Sequence, residues 1–271
     1  MTSLPGETWI VGCGKMAGAM VEGWRRAGVD LGQAVAIRPS GTPVDGVRTV
    51  TQLPSGSPAL VLLGIKPQKL DEVAPELAKR LNKNTILVSI LAGVELASLR
   101  ARFPTAARVL RVMPNLPVSE GQGILALIGD PPYDAPSATH DLFATLGTVI
   151  HCQSEIELAA IGSLAGAGPA YVARFIAALA KAGVERGLDP QSADAIALQT
   201  VFGTAAMAKA RGENMSSIAT RVASPNGTTE AGLKVLDTGL DQLVAETIAA
   251  ASRRGEELAA AARIDLTPPL A

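Results

Sequence analysis

The chain has 271 residues, of which 48% are hydrophobic, 18% charged and 3% aromatic, and its formal net charge is -1. Domains commonly run to roughly 100 to 200 residues, so this length and composition describe a folded protein of two domains and exclude extensive disorder. Near-neutral charge gives no electrostatic footprint for nucleic acid or an anionic membrane, and so few aromatic residues leave no stacking platform for bases.

The N-terminal MTSLPGETWIVGCG lacks a basic segment followed by an apolar run, so no secretory signal is expected and a cytoplasmic location follows. TWIVG reads as a short buried strand. A glycine loop comes next, Gly12-Cys13-Gly14-Lys15-Met16-Ala17, which opens the helical segment KMAGAMVEGWRRAG. In a strand-to-helix turn of this G-x-G-x-x-A kind, Gly12 permits the bend and Gly14 lets a pyrophosphate approach. Ala17 lets helix and strand pack closely, and the helix N-terminus, at Lys15 and Met16, faces the phosphates.

The next strand, AVAIRPS, ends in Arg38-Pro39-Ser40-Gly41-Thr42 with no acid in that run. A carboxylate there would bind the ribose hydroxyls of NAD, whereas Arg38 and Ser40 suit the 2′-phosphate of NADP, so NADPH is expected over NADH. ALVLLGIKP, NTILVSI, ARVLRVM and GILALIG are further runs of strand length, separated by helical segments such as PQKLDEVAPELAKRL and ELASLRARF. This alternation predicts an α/β fold with a mostly parallel, doubly wound sheet covered on both faces. Lys66-Pro67 and Met113-Pro114-Asn115 each follow a strand, at the edge where such sheets hold ligands, so Lys66 and Asn115 are candidates for the ribose and phosphate region.

After about His151 the sequence becomes helical, with SEIELAAIGSLAGAG, PAYVARFIAALAKAGVERG, SADAIALQTVFGTAAMAKARG and DQLVAETIAAASRRGEELAAAA. Its abundant small residues suit close helix packing, and its apolar load exceeds what a lone helical domain would hide, which predicts an oligomer. The stretch ELAAIGSLAGAGPAYVARFIAALA approaches membrane-spanning length. Its alanine content, Pro169 and Arg174 point to a buried helix of a soluble protein instead. The closing DLTPPLA reads as a loose tail.

Two cysteines, Cys13 and Cys152, make no disulfide framework and read as packing residues. Two histidines, His140 and His151, lack metal-ligand spacing, so no metal is expected. No Ser-His-Asp constellation stands out, which leaves the difficult chemistry to a cofactor that the protein positions. In VASPNGTTEAG, Pro225, Asn226 and Gly227 suit a turn and Glu230 suits the first turn of a helix. Ser224 and the N–H groups of Gly227 and Thr228 can cradle a carboxylate there, with a threonine hydroxyl beside them for a substrate nitrogen.

With these residues assembled, the chain resembles the pyrroline-5-carboxylate reductase family, from the glycine loop to about Leu258. The specific parts are Val112-Met113-Pro114-Asn115, the GAGPAY segment from Gly166 to Tyr171, and Ser224-Pro225-Asn226-Gly227-Thr228-Thr229. The resemblance implies a Rossmann-type NAD(P)-binding domain over residues 1–152 and an all-α dimerisation and substrate-binding domain over residues 153–271, assembled as a homodimer or larger homo-oligomer. It implies hydride transfer to the imine carbon of 1-pyrroline-5-carboxylate, giving proline, the last step of proline biosynthesis. It places Lys66, Pro67, Ala92 and Asn115 along the cofactor, Thr229 on the ring nitrogen, and Ser224, Gly227 and Thr228 on the carboxylate.

The sequence also departs from the family. The usual Ser-Gly-Ser-Gly-Pro-Ala-Tyr appears with Ala165 and Ala167, Met-Pro-Asn-Thr-Pro appears with Leu116, and the paired glycines before the threonines appear as Asn226-Gly227. These departures keep open a related cyclic imino acid as substrate, a 3-hydroxy-acid enzyme of the same architecture, a non-catalytic NADP-binding protein, and an interaction scaffold.

Overall fold

The structure is a computed structural model that describes residues 2–130 and 138–262. It divides into two compact units, one of residues up to 167 together with those from 251 on, the other Gly168–Ala250. The DLTPPLA segment lies outside the described residues.

In the first unit, strands β1 (Thr8–Val11), β2 (Ala34–Ile37), β3 (Arg48–Val50), β4 (Leu60–Leu63), β5 (Ile86–Ser89), β6 (Arg108–Pro114), β7 (Gly123–Gly129) and β8 (Gly147–His151) form one sheet. Their order is β3-β2-β1-β4-β5-β6-β7-β8. Every pairing is parallel except β6 with β7. The expected doubly wound sheet is therefore present, with its switch of direction between β1 and β4. Two strands escaped the sequence reading. β3 has three residues and no buried one, and β8 is half-buried, so neither shows the apolar run that marked the others.

Both faces of the sheet are covered, which is why β1, β2 and β4 read as unbroken apolar runs. On one face Ile10, Ala36 and Leu62 pack with Met20 and Trp24 of α1 (Lys15–Arg26). On the other Trp9, Val11 and Leu63 pack with Leu77 of α2 (Leu70–Ala78) and with Leu99 and Phe103, in and just after α3 (Leu96–Arg102). The Trp24 indole N–H donates to Leu142 O of α4 (Ala138–Ala144) at 3.1 Å, so its burial leaves no polar orphan.

One buried ion pair ties three elements of this unit. Arg111 of β6 pairs with Glu155, the first residue of α5 (Glu155–Ile161). The other oxygen of Glu155 accepts the N–H of Leu96 at 2.8 Å and so caps α3. Burial pulls the Arg111 guanidinium below its ordinary value and the Glu155 charge opposes that shift. Ser154 caps α5 by accepting the Glu157 N–H at 3.1 Å.

A single helical run covers Glu155–Glu185. It comprises α5, a π-helical turn at Gly162–Gly166, and α6 (Gly168–Glu185). In the second unit α6 forms a hairpin with α7 (Pro190–Arg211) around the small residues Ala180, Ala193 and Ala197. A Cβ on Gly183 would lie 3.4 Å from that of Ala193, which shows how closely the two backbones approach. Helix α7 begins with Asp189 accepting the Ser192 N–H at 3.1 Å and ends at Gly212 in the left-handed conformation. Helices α8 (Met215–Val222), α9 (Thr228–Leu236) and α10 (Leu240–Ala262) follow.

The expectation that the apolar stretch starting at Glu157 is a buried helix is not met within the chain. Of its most apolar 18-residue window only 6% is buried within the chain, and Val172, Phe175 and Leu179 are exposed. Small residues let α6 and α7 meet along a narrow stripe, which leaves the bulky side chains outward.

Removing Glu155 strands a buried Arg111, and breaking such a pair from one side costs about 3 to 5 kcal/mol, here reduced because Glu155 is about one-third exposed. Urea denaturation of Glu155→Ala should show a loss near the lower end of that range. Arg111→Met with Glu155→Leu should lose less than Glu155→Ala alone, and strict additivity of the single losses would dismiss the coupling.

Candidate active site

Strands β1 to β6 all end at one edge, and the structure sets the predicted cofactor residues there. Gly12 follows β1, Arg38 follows β2, Lys66 and Pro67 follow β4, Ala92 follows β5, and Asn115 follows β6. Gly12 has φ +79°, and a Cβ on it would lie 2.6 Å from the Ile65 side chain and 2.9 Å from its Cα. Its N–H donates to Ile37 O at 3.0 Å. This glycine is required by backbone conformation and by contact.

Gly14 differs. It is the N-cap of α1 with φ -84°, which any residue adopts. Nothing lies within 4 Å of where its Cβ would be. Protein packing does not demand a glycine there, whereas a pyrophosphate resting on the N–H groups of α1 would. Lys15 is exposed, Met16 half-buried and Ala17 buried. A cavity of about 810 Å³ opens beside this turn, with Cys13, Gly14, Lys15 and Arg38 in its wall and Val44 and Leu116 farther along.

The Arg38 guanidinium donates to Thr42 O at 2.9 Å, and the Ser40 and Thr42 hydroxyls are 2.9 Å apart. The loop thus presents a cation and two hydroxyls, a donor set that fits a phosphate. The nearby acid, Asp45, is paired with Arg25. Burial pushes the Cys13 thiol upward, opposed by Arg38, which keeps it protonated at neutral pH and fits the packing role expected of it.

Two residues not named as candidates, Gly64 and Thr42 of the Arg38–Thr42 run, complete this edge. A Cβ on Gly64 would lie 2.6 Å from Gly12 O and 3.2 Å from the Ala17 Cβ, so Gly64 matters as much as Ala17 to the close approach of α1 and the sheet. Thr42 supplies the second hydroxyl of the loop. A glycine directly after the apolar run ALVLL was the available signal for the first.

The Asn115 side chain is engaged by the protein at both ends. Nδ2 donates to Ala165 O at 2.9 Å and Oδ1 accepts the Ile124 N–H at 2.9 Å, with the residue 6% exposed. The amide therefore braces the end of β6. Lys66 is exposed and starts a tight turn, its carbonyl accepting the Lys69 N–H at 2.9 Å. Ala92 is exposed in the loop after β5.

The Ser224–Thr229 stretch belongs to the second unit. Asn226 adopts φ 58°, the turn conformation expected of it. The Gly227 N–H donates to Ser224 O at 2.9 Å, and a Cβ on Gly227 would lie 2.5 Å from Ser224 Oγ. The Gly227 N–H is thus spent within the turn, and its missing Cβ is what lets the Ser224 hydroxyl close on the helix start. The first N–H donors of α9, at Thr228, Thr229 and Glu230, have no carbonyl one helical turn back. Glu230 accepts the Asn226 N–H at 2.5 Å and pairs with Lys234 at 2.9 Å. The Lys234 ammonium first, and then that N–H, hold its carboxyl below the usual range.

His140 and His151, distant in their spacing, meet in the first unit with ring nitrogens 3.0 Å apart. Burial first, then His140, lowers the affinity of His151 for a proton. Among the described residues no group of three or more metal-ligating side chains is assembled.

A doubly wound sheet whose glycine turn leaves room for a pyrophosphate, with a basic hydroxyl-bearing loop beside it, defines a nicotinamide-dinucleotide-binding oxidoreductase. Residues 8–93 match the family model described as NADP oxidoreductase, coenzyme F420-dependent. Residues 155–258 match the one described as pyrroline-5-carboxylate reductase dimerisation. A pyrroline-5-carboxylate reductase of Pseudomonas aeruginosa is 33% identical over 261 residues, covering 92% of this chain and 96% of the relative. One of Synechocystis sp. is 39% identical over 202 residues, covering 73% and 74% of the two chains. The solved structure of a pyrroline-5-carboxylate reductase from Coxiella burnetii is 29% identical with a TM-score of 0.85, covering 94% of this chain and 99% of that one. The chain belongs to the pyrroline-5-carboxylate reductase family.

Two glycine variants separate architecture from binding. Gly12→Ala should lower the unfolding midpoint, at a cost of about 1 to 3 kcal/mol from the positive φ and the Ile65 contact. Gly14→Ala should unfold like the parent yet bind NADPH about tenfold more weakly by fluorescence titration, because the added methyl occupies the phosphate approach. Unaltered affinity in Gly14→Ala would remove the phosphate from this turn.

Proposed function

We infer that this chain reduces 1-pyrroline-5-carboxylate to proline with a nicotinamide cofactor, and that NADPH is the preferred one. The observation that carries the reaction is the likeness to pyrroline-5-carboxylate reductases along nearly the whole chain. The cofactor preference rests on the Arg38, Ser40 and Thr42 loop, which offers a phosphate three polar groups and has no acid between Arg38 and Thr42.

When bound, the reduced nicotinamide supplies a hydride to the imine carbon while the ring nitrogen carries a proton, giving proline and the oxidised cofactor. The residues of the chain bind and orient. Gly12, Gly14 and Ala17 let the α1 turn meet the pyrophosphate, with Lys15 and Met16 at the helix start and Lys66, Pro67 and Ala92 along the same edge. Ser224 Oγ and the N–H groups at the start of α9 receive the substrate carboxylate. Gly227 contributes by lacking a side chain, and the Thr229 hydroxyl meets the ring nitrogen. A protonated imine is already electrophilic, so no strong protein acid is needed, in keeping with the absence of histidine from these stretches.

The functional domains in this reading are residues 1–152 and 153–271. The boundary near 152 is supported by the start of the dimerisation match just after β8. A homodimer is supported by that match and by the exposed Val172, Phe175 and Leu179 of α6. Arg174 and the exposed Lys181 on the same helix favour a protein partner over lipid. A cytoplasmic location, with neither nucleic acid nor membrane as partner, accords with the formal charge of -1.

Loss of NADPH absorbance on mixing with 1-pyrroline-5-carboxylate, with NADH and the six-membered imine run in parallel, tests this reading. Turnover of the five-membered ring supports it. Turnover confined to the six-membered ring would transfer the reading to a related cyclic imino acid, and NADPH binding without any turnover would leave a non-catalytic protein. Arg38→Ala should raise the KM for NADPH about tenfold, the worth of one charge-assisted hydrogen bond, and leave that for NADH unchanged. Thr229→Ala should lower kcat about tenfold or more while Thr229→Ser retains most of it, and full kcat in Thr229→Ala would take that hydroxyl out of the mechanism.

A further inference from the structure

The helical run from Glu155 to Glu185 widens into a π-turn at Gly162–Gly166. In an unbroken α-helix the carbonyl of Ala165 would accept the N–H of residue 169. Pro169 has no N–H, and its ring crowds the carbonyl four residues back. A π-turn relieves that crowding by widening the backbone. The carbonyl is taken by Asn115 Nδ2 at 2.9 Å, while Asn115 Oδ1 holds the Ile124 N–H of β7 at 2.9 Å.

Three further facts locate this tie. Asn115 directly follows the last residue of β6, on the sheet edge that also carries Gly12, Arg38 and Lys66. The turn lies against β6, since a Cβ on Gly162 would be 3.3 Å from Met113 Cγ. One residue beyond Ala165, Gly166 is exposed and has nothing within 4 Å of where its Cβ would be, so backbone is left open. Such turns recur at functional sites.

We propose that Asn115 is a positioning residue: it takes the carbonyl that Pro169 leaves without a helical donor, and thereby fixes the π-turn at the ligand edge for hydride transfer. This rests on the reductase reading above. Its consequence is that Asn115 acts through the Ala165–Gly166 backbone and need not touch the cofactor with its amide.

The test uses Asn115→Asp, Asn115→Ala and Asn115→Ala with Pro169→Ala in the full chain. Asn115→Asp keeps the acceptor for Ile124 but sets an oxygen against the Ala165 carbonyl. It should lower kcat about tenfold or more, by misplacement, and speed amide exchange across residues 162–168. Asn115→Ala should lose both kcat and thermal stability. Adding Pro169→Ala supplies the missing N–H in a regular helix, so thermal stability should return toward the parent while kcat does not. Recovery of kcat in step with stability would overturn the proposal, as would unchanged kcat and unchanged exchange in Asn115→Asp. A parent protein that turns over no imine would sink the reductase reading alone. In that case exchange across residues 162–168 still decides whether Asn115 holds the turn, and unchanged exchange overturns it.

Discussion

Everything at the ligand edge depends on how closely β1 and β4 can end beside each other. Gly12 has a positive φ and a Cβ on it would strike Ile65, and a Cβ on Gly64 would strike Gly12 O. Each glycine removes the atom that would push the other strand end away. Ala17, buried against the same spot, then lets α1 start low on the sheet. The order of elements follows from this contact. With β1 and β4 adjacent, the chain must cross over between β3 and β4, and the crossover leaves a crevice at the edge into which the first N–H groups of α1 point. A cavity beside Gly14 and Lys15 runs along α1 toward the loop that follows Arg38.

The elements that were legible in the sequence are those with one dominant force. β1, β2 and β4 are buried on both faces and read as apolar runs, and the glycine turn is encoded by steric need at Gly12. The missed elements are held by neighbours. β3 lacks a buried residue and exists because it pairs with β2. β8 pairs with β7 along five residues, although its own side chains are mostly half-buried. The Glu155 cap on α3 joins residues 59 apart in sequence, and no local pattern announces it. The same holds for Asn115, whose position at a strand end suggested a ligand contact while its partners come from β7 and from the π-turn.

The helical half was legible in composition but not in burial. Alanine and glycine at the contacts of α6 with α7 were read as close packing, which the hairpin shows. What composition does not reveal is the cost of that packing. When backbones approach through small residues, the large ones on the remaining surface have no place inside, and Phe175, Phe202 and Leu198 stay outward. The match of residues 155–258 to a dimerisation family model accords with a second copy of the chain as the cover for this surface.

The departures from the family pattern differ in what each position uses. At Ala165 the group engaged by Asn115 is the backbone carbonyl, so exchanging serine for alanine leaves that bond intact. At Asn226 the requirement is a left-handed backbone, which asparagine meets more readily than any other residue with a side chain save aspartate and histidine. Leu116 is different, because it lines the cavity and sets an apolar group in its wall where a threonine would bring a hydroxyl. The change at Ala165 therefore conserves geometry while shedding a hydroxyl, that at Asn226 conserves the turn while adding a side chain, and Leu116 alters the wall of the cavity. Thr229, to which the proposed function gives the imine nitrogen, is retained. A chain that keeps the backbone of the site together with Ser224 and Thr229 can lose hydroxyls elsewhere when the driving chemistry belongs to the cofactor.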